Sequence, residues 1–429
     1  MPDLSPELLP YLLAHRLPGL EWGEEWVAPH YNGQSILNLP TSICHWLGAT
    51  PLGGEMLLPD ILSPLGEDFR HIVVVLMDAL SFLRFRRWME AGSLAVWERL
   101  AREGLLAPLT SIVPSTTAAA LTSLWTGRSA AVHGMIGYEM WLKEYGIVIN
   151  SIQHAPISYQ GDAGSLRRAG FNPQDFLGLP TLGTHLASQG VQTYAFQHHS
   201  IARSGLSQML FPDTKVYSFS TPADLWVNLR QTFESHAHER NYFWVYWGEI
   251  DHFSHLYGPD DERTYEELAS FSAACERLFL ERLSPAARQD SLLILLADHG
   301  QIPTQPDPNY DIRNHSSLAR RLHILPTGEN RLMNLFIRPG QVEAVREYIQ
   351  RTWPNQFVFL DPSYAVEAGL FGPGEAHPRL GDRLGDLLVA AKGTAYLWWG
   401  NKDDLLYGRH GGLSPEEMLV PFLAVRLGY

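Results

Sequence analysis

Three apolar runs along the chain each end on an acid: "HIVVVLMDAL" at 71–80 reaches Asp78, "YFWVYWGEID" at 242–251 reaches Asp251, and "LLILLADHGQ" at 292–301 reaches Asp298. A continuous apolar run of this length marks a strand buried on both faces, as in a parallel sheet. Between the runs lie stretches of helical spacing. These are "FLRFRRWMEAGSLAVWERLAREG" after the first run, "DLWVNLRQTFESHAHER" at 224–240 and "DDERTYEELASFSAACERLFLERL" at 260–283, the last opening on acids that suit a helix amino terminus. Strands alternating with helices predict an α/β fold, a three-layer α/β/α sandwich around a mostly parallel central sheet. In such sheets ligands gather at the carboxyl ends of the strands, which is where the three acids fall.

The remaining stretches set the expected domain organisation. Residues 1–70 are rich in proline and glycine and read as an irregular arm packed on the core. Residues 71–300 and 346–429 read as the core itself. Residues 301–345, with "PTQPDPNYDIRNHSS" and "LPTGENRLMNLFIRPG", read as an inserted lid or small subdomain. There is no internal repeat and no low-complexity tract.

Composition narrows the partners. At 429 residues, 45% hydrophobic and 18% charged, the chain has ample material for a globular core. Its 46 acids against 32 bases, a formal charge of −14, disfavour a sequence-independent grip on long nucleic acid and leave room for a small phosphorylated ligand. Cys44 and Cys275 have no CxxC partner, so neither a disulfide framework nor a thiolate metal site is indicated. Any metal would be held by histidine and carboxylate. The opening "MPDLSPELLPYLLAHRLPG" is acidic and broken by prolines, unlike a secretion signal, and no run approaches the roughly 18 apolar residues of a membrane span. The expectation is a soluble cytoplasmic protein with no membrane partner and with its oligomeric state open.

Candidate chemistry clusters at the acids. Asp251 and His255, in "DHFSHLYGP", stand one helical turn apart and converge on one point. His299 follows Asp298, and His410 sits in the glycine-flanked "LYGRHGGLSPEEMLVP", where backbone can approach a ligand closely. Three carboxylates and three imidazoles suffice for two divalent ions, and nitrogen and oxygen donors without thiolate suit zinc, with manganese second. "LTSIVPSTTAAALTSLWTGRSAAVHG" places Ser115, Thr116 and Thr117 just ahead of an alanine-rich helix. Hydroxyls there ordinarily cap the helix. The same position offers free N–H groups to a phosphate, and a metal can activate a hydroxyl for attack.

In this order, Asp78 after the first strand, the hydroxyl cluster with "WTG" at 125–127 and "HG" at 133–134, then "DHFSHLYGP", "ADHG" and "RHGG", the chain resembles the alkaline phosphatase superfamily. The resemblance is to its type I phosphodiesterase/nucleotide pyrophosphatase branch and runs from residue 71 to about 425. It implies one metal held by Asp251, His255 and His410, and a second held by Asp78, Asp298, His299 and the nucleophile. It implies Thr117 as that nucleophile, with Thr116 the alternative, attacking a nucleotide or phosphodiester in line to form a phospho-threonine that is then hydrolysed. Two positions depart from the branch. Its members follow the first aspartate with glycine, where this chain has "DAL" at 78–80. They also carry a phosphoryl-binding asparagine where "HGMIGYEMW" has Tyr138, whose phenol can donate one hydrogen bond. A phosphomonoesterase on the same site is the neighbouring alternative, although only Arg128 and Lys143 lie near the hydroxyl cluster to meet a dianion, while Tyr138 and Trp141 suit stacking on a flat group. The ending "HGGLSPEEMLVP" also resembles PglZ-type members, which opens a non-catalytic binding or regulatory module as a reading from another class. The complete set of six ligands argues against it.

Overall fold

His71–Met77, Asn241–Trp247 and Ser291–Leu296 are strands buried along their whole length. They lie side by side in parallel, with His71 opposite both Asn241 and Ser291. In this computed structural model, which describes residues 3–20, 23, 25–92, 94–158, 162–400 and 405–428, four more strands extend the trio. The seven run in the order Leu105–Thr110, Leu419–Arg426, Ser291–Leu296, His71–Met77, Asn241–Trp247, Gln192–His198 and Lys215–Phe219. Leu419–Arg426 alone runs against the rest.

Helices cover both faces and touch one another within two separate groups. One group holds Phe82–Glu90, Ala95–Glu103, Pro222–Ser235, Glu249–Tyr257 and Glu262–Leu278; the other holds Leu39–Trp46, Thr117–Thr126, Leu182–Ser188 and Gly205–Leu210. The result is the expected three-layer α/β/α sandwich. Local sequence explains the helices well. Glu262–Leu278 starts where the Asp261 carboxylate accepts the Arg263 N–H at 3.0 Å, and it buries Leu268, Phe271, Cys275 and Leu278 as one stripe. The long helical stretch after the first strand is two helices, because Gly92 takes φ +76°, a left-handed conformation that ends the first of them.

A second, antiparallel sheet lies beside the first. Its order is Phe357–Leu360, Leu387–Ala391, Leu332–Leu335, Thr327–Gly328, Glu139–Leu142, Ile147–Asn150 and Ala155–Pro156. It therefore draws on three separate segments and extends past residue 345, where the sequence reading returned the chain to the core. That return comes at Leu419. From 342 onward a helix alternates with short apolar strands just as in the core, so the pattern alone does not say which sheet they join. Residues before 71 include the helices Ser5–Ala14 and Leu39–Trp46, and they bond to the edge of the large sheet through Leu4 N–H to Leu106 O and Thr110 N–H to Gln34 O, both 2.8 Å. Among the described residues no helix is long and apolar enough to cross a membrane.

Candidate active site

The parallel strands deliver their following residues to one edge of the sheet. Asp78 follows Met77 directly, Asp298 stands two residues beyond Leu296, and Asp251 sits in the first turn of the helix Glu249–Tyr257 that follows Trp247. The antiparallel strand Leu419–Arg426 brings its amino end to this same edge, with Leu419 opposite Thr110, and so the loop carrying His410 arrives there too. Thr117 opens the helix Thr117–Thr126 after the strand Leu105–Thr110. Topology thus gathers residues from 78 to 410 at one place.

Within the cluster, His299 Nε2 lies 3.4 Å from Asp78 Oδ1, 3.7 Å from Asp298 Oδ2 and 3.2 Å from Thr117 Oγ1. Asp251 Oδ1 lies 3.3 Å from His255 Nε2 and 3.8 Å from His410 Nε2. The rings of His299 and His410 stack at 4.1 Å. The second nitrogen of each imidazole meets a backbone carbonyl: His255 Nδ1 meets Gly408 O at 2.8 Å, His299 Nδ1 meets Gly300 O at 3.0 Å, and His410 Nδ1 meets Ser115 O at 3.2 Å. Donation to those carbonyls places a proton on Nδ1 and turns Nε2 toward the carboxylates, free to carry a second proton or to offer its lone pair to an ion.

The electrostatics ask for a cation. Asp78 and Asp298 are buried and adjacent; burial first, and then the neighbouring carboxylates, push Asp78 far above its usual range. Burial raises Asp298 to about 7 despite the N–H bonds it accepts from Ala79 at 3.2 Å and His299 at 3.0 Å. For Asp251, burial acts upward, but His255, His410 and His299 outweigh it and hold the carboxylate low. Asp78 Oδ1 and Asp298 Oδ2 are buried without a hydrogen-bond partner. Two groups have donor atoms close enough to share an ion: Asp78 with Asp298 and His299, and Asp251 with His299 and His410. Orphaned carboxylate oxygens facing lone-pair nitrogens are the donor set of a divalent metal.

Neither of the two hydroxyls ahead of the helix, nor that of Thr117 at its first position, acts as a cap. Ser115 Oγ donates to Gly412 O at 2.7 Å, Thr116 Oγ1 donates to Glu329 Oε1 at 2.6 Å, and the helix has no side-chain cap bond. Thr117 is the hydroxyl that faces the cluster. Ala79, at the position where the branch has glycine, holds φ +61°, the left-handed conformation that glycine adopts without strain. Tyr138 is exposed, accepts a bond from Asn150 Nδ2 at 2.6 Å, and shares one cleft of about 1350 Å³ with Thr116, Thr117, Asp251, His255 and His410. Arg128 and Lys143 do not line that cleft, and Lys143 is paired with Asp382 at 2.6 Å.

Three residues here escaped sequence reasoning. Glu329 is buried at about pKa 7 by desolvation, and it bonds both Thr116 and the Tyr138 N–H, the latter at 2.7 Å. Gly411, at φ +99°, makes room for it, since a Cβ there would stand 2.3 Å from Glu329 Cβ. Gln301 Nε2 donates to Asp251 at 3.0 Å, and the Tyr246 phenol donates to Asp78. Tyr246 was legible only as core, but the parallel register that sets Met77 beside Trp247 puts its hydroxyl next to Asp78.

A nitrogen and oxygen donor cluster with a helix-terminal hydroxyl, at the carboxyl edge of an α/β/α sheet, defines a hydrolase of the alkaline phosphatase-like class. The sequence profile described as type I phosphodiesterase/nucleotide pyrophosphatase matches residues 72–413, and the chain belongs to that family of phosphoester hydrolases. No curated protein sequence matches it. Among solved structures it is similar to murine ectonucleotide pyrophosphatase/phosphodiesterase 5, at 17% identity and TM-score 0.60 over 82% of this chain and 87% of that one. An inactive threonine-to-alanine form of that protein, in complex with AMP, matches equally well. Phosphonoacetate hydrolase from Sinorhizobium meliloti 1021, in complex with phosphonoformate, shares 18% identity at TM-score 0.59, over 83% of this chain and 90% of that one. At these identities the likeness speaks to the fold.

Proposed function

We propose that the protein is a metal-dependent phosphodiesterase working through a phospho-threonine at Thr117. The observation that carries this reading is the Thr117 hydroxyl, 3.2 Å from His299, turned into a cluster of Asp78, Asp251, Asp298, His299 and His410, with His255 beside Asp251 at 3.3 Å. Asp251, His255 and His410 would hold one ion and Asp78, Asp298, His299 and Thr117 the other, zinc by preference and manganese second. When bound, two such ions stabilise the entering and leaving oxygens of an in-line displacement.

The chain's own groups do the rest. Thr117 Oγ1 attacks phosphorus as the bond to one ester alcohol breaks and that alcohol leaves with the hydroxyl proton, and the first N–H groups of the helix, which lack intrahelical acceptors, face the phosphoryl oxygens. Tyr138 donates to one of those oxygens. Thr116 stays bound to Glu329 and fixes the turn. Water then cleaves the phospho-threonine and restores the hydroxyl. The murine relative bound AMP as an inactive threonine-to-alanine form, which supports a threonine in this role here. The substrate is a small phosphodiester or nucleotide and, at a net charge of −14, not long nucleic acid. Two buried unpaired cysteines fit a reducing compartment, and the cytoplasm is the proposed location.

The test is turnover of bis(p-nitrophenyl) phosphate beside p-nitrophenyl phosphate. Chelation is expected to abolish hydrolysis of the diester, and zinc or manganese to restore it. Full turnover by protein shown metal-free by elemental analysis overturns the proposal.

A further inference from the structure

The cleft beside Thr117 is more apolar than phosphate chemistry requires. Among the described residues twelve large apolar side chains are left exposed, and five of them, Tyr138, Ile157, Leu256, Leu325 and Leu405, line this one cleft. Single exposed apolar residues need no explanation, but a contiguous set around an opening marks a surface that meets an apolar partner. Further in, Trp141 and Trp399 continue the lining.

Charge points the same way. Among the described residues no lysine or arginine lines the cleft, and the charged groups outside the aspartate and histidine cluster are Glu139 and Glu329. Their carboxylates accept from Trp399 Nε1 at 2.8 Å and Thr116 Oγ1 at 2.6 Å. A phosphomonoester or a nucleoside polyphosphate brings two or more negative charges and is ordinarily met by arginine or lysine. A diester brings one, at the phosphorus, and its remaining bulk can be apolar. At about 1350 Å³ the cleft exceeds the roughly 300–1000 Å³ of most small-ligand sites.

We infer that the substrate is a phosphodiester whose retained ester group is a long apolar chain, seated in the cleft lined by residues 138–158 and 324–330, with the phosphorus at Thr117. The inference rests on the phosphodiesterase reading above. In the reaction the Thr117 oxygen bonds phosphorus as the bond to the other alcohol breaks, and that alcohol leaves with the hydroxyl proton. Water then releases the chain as its phosphate monoester.

Methyl, butyl and octyl p-nitrophenyl phosphates share one leaving group and differ only in the retained group; thymidine 5′-p-nitrophenyl phosphate supplies a nucleoside in its place. With the metal-loaded protein, and below the micelle concentration, kcat/KM is expected to rise on the order of 100-fold from methyl to octyl, mainly through KM, since each methylene removed from water is worth about fourfold at most. The octyl ester is expected to exceed the thymidine ester. Leu325→Asp is expected to lower the octyl-to-methyl ratio about tenfold, and a ratio taken on one preparation does not depend on how much of it is folded. Equal kcat/KM along the series, or a thymidine ester faster than the octyl ester, overturns the inference and leaves the phosphodiesterase reading standing. No turnover of any diester with zinc or manganese present overturns that reading and the inference with it.

Discussion

Thr116 and Thr117 are neighbours with opposite assignments, one turned to Glu329 and one to His299. Thr117→Ala is expected to cut diester turnover by several orders of magnitude while both ions remain bound, as metal analysis would show. Thr116→Ala removes a bond to a buried carboxylate and should cost about 1–3 kcal/mol of stability, with turnover per folded molecule close to that of the parent. The reverse pattern would move the nucleophile to Thr116. His133, the histidine of the "HG" landmark, shows a residue whose role is structural. Its Nδ1 accepts the Met135 N–H at 3.0 Å, and its Nε2 meets Ser123 Oγ at 3.0 Å. Burial first, then Arg383 and His377, lower its pKa to about 3. The folded value lies below the unfolded one, so its contribution is fully present above about pH 6.5 and is lost as pH falls toward 3. His133→Leu should therefore lose about 1–3 kcal/mol at pH 7.5, and urea titrations should show the gap to the parent narrowing steadily below pH 6.5. The site aspartates and histidines were readable because strand ends and one-turn spacing constrain them locally. Glu329 was not, since "GEN" reads as an ordinary solvated turn and only distant contacts bury it.

Elements were legible to the extent that their partners were close in sequence or their runs were long. The buried parallel strands announce themselves as unbroken apolar runs. The second sheet does not, because its strands are only two to five residues long and its three segments, 139–156, 327–335 and 357–391, are joined across long separations, and no periodicity records that joining. Besides the bond from Thr116 to Glu329, a buried ion pair ties this sheet to the site. Arg331, just ahead of the strand Leu332–Leu335, donates to Glu417 through Nε at 2.7 Å and Nη2 at 3.0 Å, with both side chains fully buried. Glu417 also accepts the Gly412 N–H at 2.9 Å and the Ser414 hydroxyl at 2.7 Å, which fixes the loop that presents His410. Arg331→Met strands a buried carboxylate and should cost about 3–5 kcal/mol, and adding Glu417→Gln should recover part of the loss. Denaturant unfolding of the single and double variants measures both; an unchanged midpoint in Arg331→Met would show that the pair does not join sheet to loop.

At the scale of the whole molecule, the candidate metal cluster is a crosslink. Its members come from residues 78 to 410, out of two strand ends, one helix and one loop, and no pair other than Asp298 with His299 is adjacent in sequence. Ions that bind only the assembled cluster stabilise the entire fold by mass action, about 2.7 kcal/mol at a free concentration 100 times Kd. For a chain of 429 residues that corresponds to a rise in Tm of roughly 3 °C. The cluster without ions is a liability of the opposite sign, because Asp78 and Asp298 are buried side by side with orphaned oxygens. Asp298→Asn removes one of these carboxylates while keeping an oxygen for the Ala79 and His299 N–H groups. The chelated variant should then melt at or above the chelated parent, while the rise on adding zinc should shrink or vanish. Calorimetry on the four samples separates the two terms. A chelated variant that melts well below the chelated parent, or one that keeps the parent's full response to zinc, would mean that Asp298 serves the fold and not the ion.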